Sequence, residues 1–98
     1  MKTFDCEEVY GFDWNPQVEE KLVAKHNVYP EEVEEACADT RSIWHWEVDR
    51  RYWVFGRTEE GRYLVCLVRL TEDCYLHPIT AREMSREQRS YYLEMNVL

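Results

Sequence analysis

The 98-residue chain reads as an α+β domain: two N-terminal helices, an antiparallel meander of three to four strands, and a C-terminal helix. Three observations lead there. Helix-start chemistry occurs twice before residue 40, at Asn15-Pro16 and at Tyr29-Pro30-Glu31-Glu32. Between Ser42 and Ile79, apolar and aromatic runs alternate with short polar turns, the pattern of strands joined by hairpins. A capping sequence, Ser85-Arg86-Glu87-Gln88, then opens a last helix. Helices gathered before and after a block of strands imply α+β rather than alternating βαβ units.

Residues 9–14 suggest a short, irregular edge strand. Asn15 suits an N-cap and Pro16 the first helical position, where its missing N–H costs nothing. Val18 and Leu22 give the helical stripe of a first helix over Pro16–Lys25, and Asn27 tolerates the left-handed turn that ends it. A second helix starts at Pro30, with acids in its first turn and Val33, Ala36 and Cys37 as its apolar face. It ends near Asp39-Thr40. Strands follow at Ser42–Trp46 and at RRYWVFGR (Arg50–Arg57). Thr58-Glu59-Glu60-Gly61 makes a hairpin turn, and the nearly all-apolar RYLVCLVRL (Arg62–Leu70) should be the central strand. Cys74–Ile79 is the last strand, with Pro78 marking an edge or a strand end. The C-terminal helix covers Ser85–Met95. The whole of residues 1–98 forms one domain with one core.

Composition narrows the function classes. No apolar run approaches the roughly 20 residues of a membrane span, and the N-terminus carries acids where a signal peptide needs an apolar core, so a cytoplasmic location is expected. The four cysteines, Cys6, Cys37, Cys66 and Cys74, have no C-x-x-C spacing and no zinc-finger pattern with the three histidines. Free, structural thiols are expected, and nothing calls for a metal or a cofactor. Charge is unevenly placed. Residues 1–40 hold three Lys against eleven acids, a net of −8, while residues 41–98 hold nine Arg against nine acids, a net of zero. The field of the whole chain repels RNA at long range, yet an arginine surface in the second half can bind phosphate at short range.

Three arginines stand at strand positions. Arg57 ends a strand in which Trp53 and Phe55 share its face; Arg69 alternates with Val65 and Leu67; Arg82 follows the last strand at a junction with the C-terminal helix. Hairpins in register would draw them together as one anion site, or each is a solvated or ion-paired sheet residue. His26 is either a group titrating near neutrality or a cap on the last carbonyls of its helix. The aromatics Trp44, Trp46, Tyr52, Trp53 and Phe55 suit a core or a protein interface, and could also stack bases.

FDWNP (Phe12–Pro16), KHNV (Lys25–Val28), FGRTEEGR (Phe55–Arg62) and YLHPITAREMSREQRSYY (Tyr75–Tyr92), in this order and spacing, resemble the BrnT family of bacterial toxins. Asn27 stands where the family usually has glycine. The resemblance covers roughly Phe12 to Tyr92 and implies a RelE-like fold and a metal-independent endoribonuclease of a type II toxin–antitoxin pair. It implies a cognate antitoxin as partner, in a dimer or a toxin–antitoxin hetero-oligomer, and RNA as substrate. It points to His26, Arg57 and Arg82 as catalytic, and Lys25, Arg69 and Glu83, from their positions beside these or on the central strand, are the expected RNA or phosphate contacts. Against it stands a second expectation from charge: an acidic, non-catalytic interaction module of the same fold.

Overall fold

The computed structural model describes residues 6–97. Its elements run β1 (Gly11–Phe12), α1 (Pro16–His26), α2 (Pro30–Ala38), β2 (Ile43–Trp46), β3 (Arg51–Arg57), β4 (Tyr63–Leu70), β5 (Tyr75–Glu83) and α3 (Arg86–Met95). The class is α+β, as the sequence implies. The sheet has five strands in the order β1-β5-β4-β3-β2, and β1 pairs parallel to β5, so it is mixed rather than a pure meander. β4 is central.

Local chemistry accounts for the boundaries. Asn15 Oδ1 accepts the Gln17 N–H at 2.8 Å, capping α1. Asn27 closes it in the left-handed region, φ 52°, its N–H directed at the carbonyls of Leu22 and Val23. The Tyr29 N–H meets Glu32 Oε1 at 3.1 Å at the start of α2. Ser85 and Gln88 cap α3 reciprocally, Ser85 Oγ accepting from the Gln88 N–H and Gln88 Oε1 from the Ser85 N–H. Gly61, at φ 94°, makes the β3–β4 turn.

Alternation along the strands divides the sheet into two faces. Tyr52, Val54, Leu64, Cys66, Val68 and Leu70 face α1 and α2, and with Leu22, Val33, Ala36 and Cys37 they form the core. α2 lies so close to β3 that a Cβ on Gly56 would sit 2.0 Å from the Ala36 carbonyl oxygen. Glycine is therefore the one residue that lets this helix seat. α3 covers part of the opposite face: Tyr91 meets Phe55 and His45 edge-on or tilted, and Tyr92 meets Tyr63.

Two expectations are corrected. The last strand does not stop at Ile79; it continues through Thr80, Ala81 and Arg82 to Glu83, paired with β4 throughout. Pro78 is tolerated inside it because the register shifts between Leu67 and Val68, and Ile79 is the extra residue of that bulge. The second correction concerns cysteine. Cys6 and Cys74 form a disulfide across 68 positions, because residues 6–10 lie beside the β4–β5 turn, where the Tyr10 N–H also bonds the Cys74 carbonyl at 2.9 Å. Linear spacing carries no sign of that proximity. Cys37 and Cys66 are free and buried, as expected of core thiols. Their mutual hydrogen bond, and then burial, push the Cys37 thiol well up, which leaves it unreactive.

Closing so long a loop lowers the entropy of the unfolded chain, an effect of roughly 4 kcal/mol. Thermal melting with and without a dithiol reductant tests it. The oxidised chain should melt well above the reduced one, and Cys74→Ser should melt with the reduced form whatever the reductant; equal melting of all three contradicts the staple.

Candidate phosphate-binding end of the sheet

Arg57, Tyr63 and Glu83 mark one end of the sheet: β3 finishes there, β4 begins and β5 finishes. Arg57 stands opposite Tyr63, and the next row on the same face is Phe55, Val65 and Arg82. Two strand spacings and one side-chain row put the Cα atoms of Arg57 and Arg82 roughly 12 Å apart. Two arginine side chains can close most of that span around a phosphate.

Each is held by its surroundings. The backbone N–H of Arg57 donates to Asp39 Oδ2 at 2.9 Å, and its guanidinium carbon lies 5.5 Å from the centre of the Tyr63 ring. Arg89 of α3 covers the same ring at 4.4 Å, so two cations share one aromatic surface. Arg82 Nη1 donates to the Glu83 carbonyl at 3.0 Å and to Gln88 Oε1 at 3.2 Å, which anchors it against the first turn of α3. Arg57, Arg82 and Arg89 are all exposed.

Asp39 organises the rest. Besides the Arg57 N–H, its Oδ2 accepts the Tyr92 hydroxyl at 2.5 Å, and its Oδ1 accepts the Arg41 N–H at 3.0 Å. Asp39, Arg41, Arg57, Tyr63, Tyr92 and Asn96 line a cavity of about 380 Å³ between β3 and the end of α3. The sequence marks Asp39 only as a helix end. Nothing in its spacing shows that three elements meet on it. Tyr63 and Arg89 were also missed, since their pairing depends on where α3 docks.

Lys25, His26 and Glu83 lie at the same end of the sheet but on the α1–α2 side. Lys25 is exposed and His26 half-buried in the last turn of α1. Glu83 alternates with Arg82 and so faces the opposite way, where its Oε2 pairs with Arg62 Nε at 3.3 Å. The same guanidinium reaches the His26 carbonyl at 3.4 Å. Arg69 is elsewhere. It pairs with Arg51 and His77, six residues up β4 from Tyr63, which is roughly 20 Å away. Of the three arginines that a shared site would draw together, the register places Arg57 and Arg82 at one end of the sheet and leaves Arg69 at the far end.

The fold now has a match among solved structures. The crystal structure of the Brucella abortus ribonuclease toxin BrnT superposes with a TM-score of 0.66, over 78% of this chain and 97% of that one, at 14% identity. The chain has the BrnT fold. No protein-family model matches it, and no curated protein matches it in sequence. The BrnT likeness therefore rests on the path of the backbone, and the roles of side chains must be argued from this chain alone.

Burial first, and then the bond to Asp39, push the Tyr92 phenol well above its ordinary value. A group raised on folding contributes stability that is complete below its unfolded pKa, about 10 for tyrosine. That stability is lost as pH rises toward the folded value. Urea unfolding at about pH 8 and about pH 11 should show wild type losing more stability across the interval than Tyr92→Phe. The variant should start about 1 kcal/mol lower at the milder pH for want of its hydrogen bond. Equal losses in the two proteins would show that Tyr92 is not the titrating group.

Proposed function

We propose that the chain is the toxin component of a bacterial type II toxin–antitoxin pair, an endoribonuclease that cleaves RNA without a metal. The observation that carries this reading is the grouping of Arg57, Arg82 and Arg89 on one exposed end of a BrnT-fold sheet. Cleavage of RNA by its own 2′-OH needs cations to stabilise the dianionic phosphorane, a base for the 2′-OH and an acid for the leaving oxygen. Arg57 and Arg82 supply the first requirement as a clamp on the scissile phosphate. His26 and Lys25, in the last turn of α1, lie at the same end of the sheet but on its α1–α2 side, across the sheet from this clamp, and this reading gives them no part in the reacting centre.

This reading gives the chain a cognate antitoxin, which silences it by covering the arginines, in a hetero-oligomer of the two. It places both in the cytoplasm, where the thiol poise of the cell governs the Cys6–Cys74 bond. Among the described residues no helix is long and apolar enough to cross a membrane.

One observation favours the second reading, an interaction module. Glu31, Glu34, Glu35 and Glu59, with Asp39 and the single cation Arg57, line an open hollow of about 650 Å³ beside α2, a mainly acidic surface suited to a basic protein segment.

RNA cleavage by purified protein in a metal chelator separates the two. Wild type should cleave, and Arg82→Ala should lose at least about a hundredfold in rate with an unchanged melting temperature. A folded wild type that leaves both free and ribosome-bound RNA intact would establish the interaction module instead.

A further inference from the structure

A second pair of arginines stands at the other end of the α3 face. Arg51 on β3 and Arg69 on β4 are directly opposite each other in the antiparallel register. His77 of β5 is opposite Arg69 on its other side. In the next row, Trp53 and Leu67 are opposite each other on the same face. The aromatic contacts of α3 fall on His45, Phe55 and Tyr63. Arg51, Trp53, Leu67, Arg69 and His77 are all half-buried rather than covered.

Like charges directly opposite on paired strands destabilise a sheet. Among the described residues, the Arg51 Nε is buried without a hydrogen-bond acceptor. Neither guanidinium takes part in an ion pair with a described carboxylate. Glu47 continues the row beyond Arg51, its N–H bonded to the Arg51 carbonyl, yet its Oε2 is itself buried without a partner. His77 is engaged by Asp13, with Nδ1 3.0 Å from the carbonyl and 3.7 Å from the carboxylate. Among the described residues, a chain of net charge −8 thus keeps two arginines side by side without an ion pair. An oxyanion between them would satisfy both, and two planar forks can hold a phosphate in the bidentate manner that guanidinium favours.

We propose that Arg51 and Arg69 form a binding site for a backbone phosphate of single-stranded RNA, with Trp53 beside it as the stacking surface for an adjoining base. The anion site stands on the geometry; the choice of RNA rests on the ribonuclease reading. Base stacking on an exposed aromatic next to a cationic groove is how single strands are held without sequence preference. The pair lies roughly 20 Å along the strands from Arg57, so it is a remote substrate contact, outside the reacting centre.

The test uses an uncleavable 2′-O-methyl oligoribonucleotide of about eight nucleotides, titrated by fluorescence anisotropy at several salt concentrations. The double variant Arg51→Gln/Arg69→Gln should bind at least about tenfold more weakly, with a log–log salt slope smaller by about 0.7, the share of one single-strand phosphate. It should melt no lower than wild type, since the repulsion is gone. Should the glutamines unfold it, Arg51→Lys/Arg69→Lys keeps the charge and loses the forks, and should retain the salt slope but not the full affinity. Unchanged affinity and slope in either variant overturn the proposal. Equal displacement of the oligonucleotide by polyglutamate overturns RNA as the occupant. Binding lost in Arg82→Ala but intact in the double variant overturns the second site and leaves the ribonuclease reading standing. Weakened binding in the double variant, with no cleavage by wild type, supports the site and removes the nuclease.

Discussion

One guanidinium sets the geometry on which the candidate site depends. Arg62, at the start of the central strand, donates to Glu32 Oε1 at 2.8 Å, to the Asn27 carbonyl at 2.7 Å and to Glu83 Oε2 at 3.3 Å. It thereby satisfies carbonyls that α1 leaves open at its end and joins that end to the start of α2 and the last residue of β5. Burial by itself would lower its proton affinity, but the bonds to Glu32 and Glu83 outweigh that and raise it, so the clamp stays charged. The consequence reaches the other face. With Glu83 held toward the helices, strand alternation turns its neighbour Arg82 to the α3 side, where Gln88 receives it.

The two faces of the sheet also resolve the conflict between an acidic chain and a nucleic-acid ligand. Glu19, Glu20, Glu31, Glu34 and Glu35 lie on α1 and α2, which pack on one face. Arg51, Arg69 and Arg82 project from the other, while Arg57, at the end of the sheet, borders the hollow that Glu31, Glu34, Glu35 and Asp39 line. The sheet stands between the acids of α1 and α2 and the arginines at Arg51, Arg69 and Arg82. A phosphate approaching the α3 face therefore meets a local field set by arginines. The overall charge of −8 still slows encounter at long range.

The helices were legible because their caps are local. Asn15-Pro16, Asn27 and Ser85-Arg86-Glu87-Gln88 each act within four residues, and each cap forms as the sequence implies. Strand positions followed from alternation, with β4 correctly central. What was not legible is long-range. Pro78 looked like a strand end because its tolerance depends on a bulge set by β4. Cys6 and Cys74 looked free because their meeting depends on how residues 6–10 lie beside the β4–β5 turn. Arg57 and Arg82 could be picked as candidates from type and position. Their separation from Arg69 depended on register, and the roles of Asp39, Tyr63 and Arg89 on the docking of α3.

The central claim is that the arginine-bearing face, and not the acidic helices, meets RNA. Nuclear magnetic resonance of the chain labelled with nitrogen-15, titrated with an uncleavable RNA, tests this most directly. The account predicts that shifts concentrate in the amides of β3, β4, β5 and the first turn of α3, and in the side-chain Nε–H signals of Arg57, Arg82 and Arg89. Shifts confined to α1 and α2, or none at concentrations that saturate a single-strand binder, would contradict it.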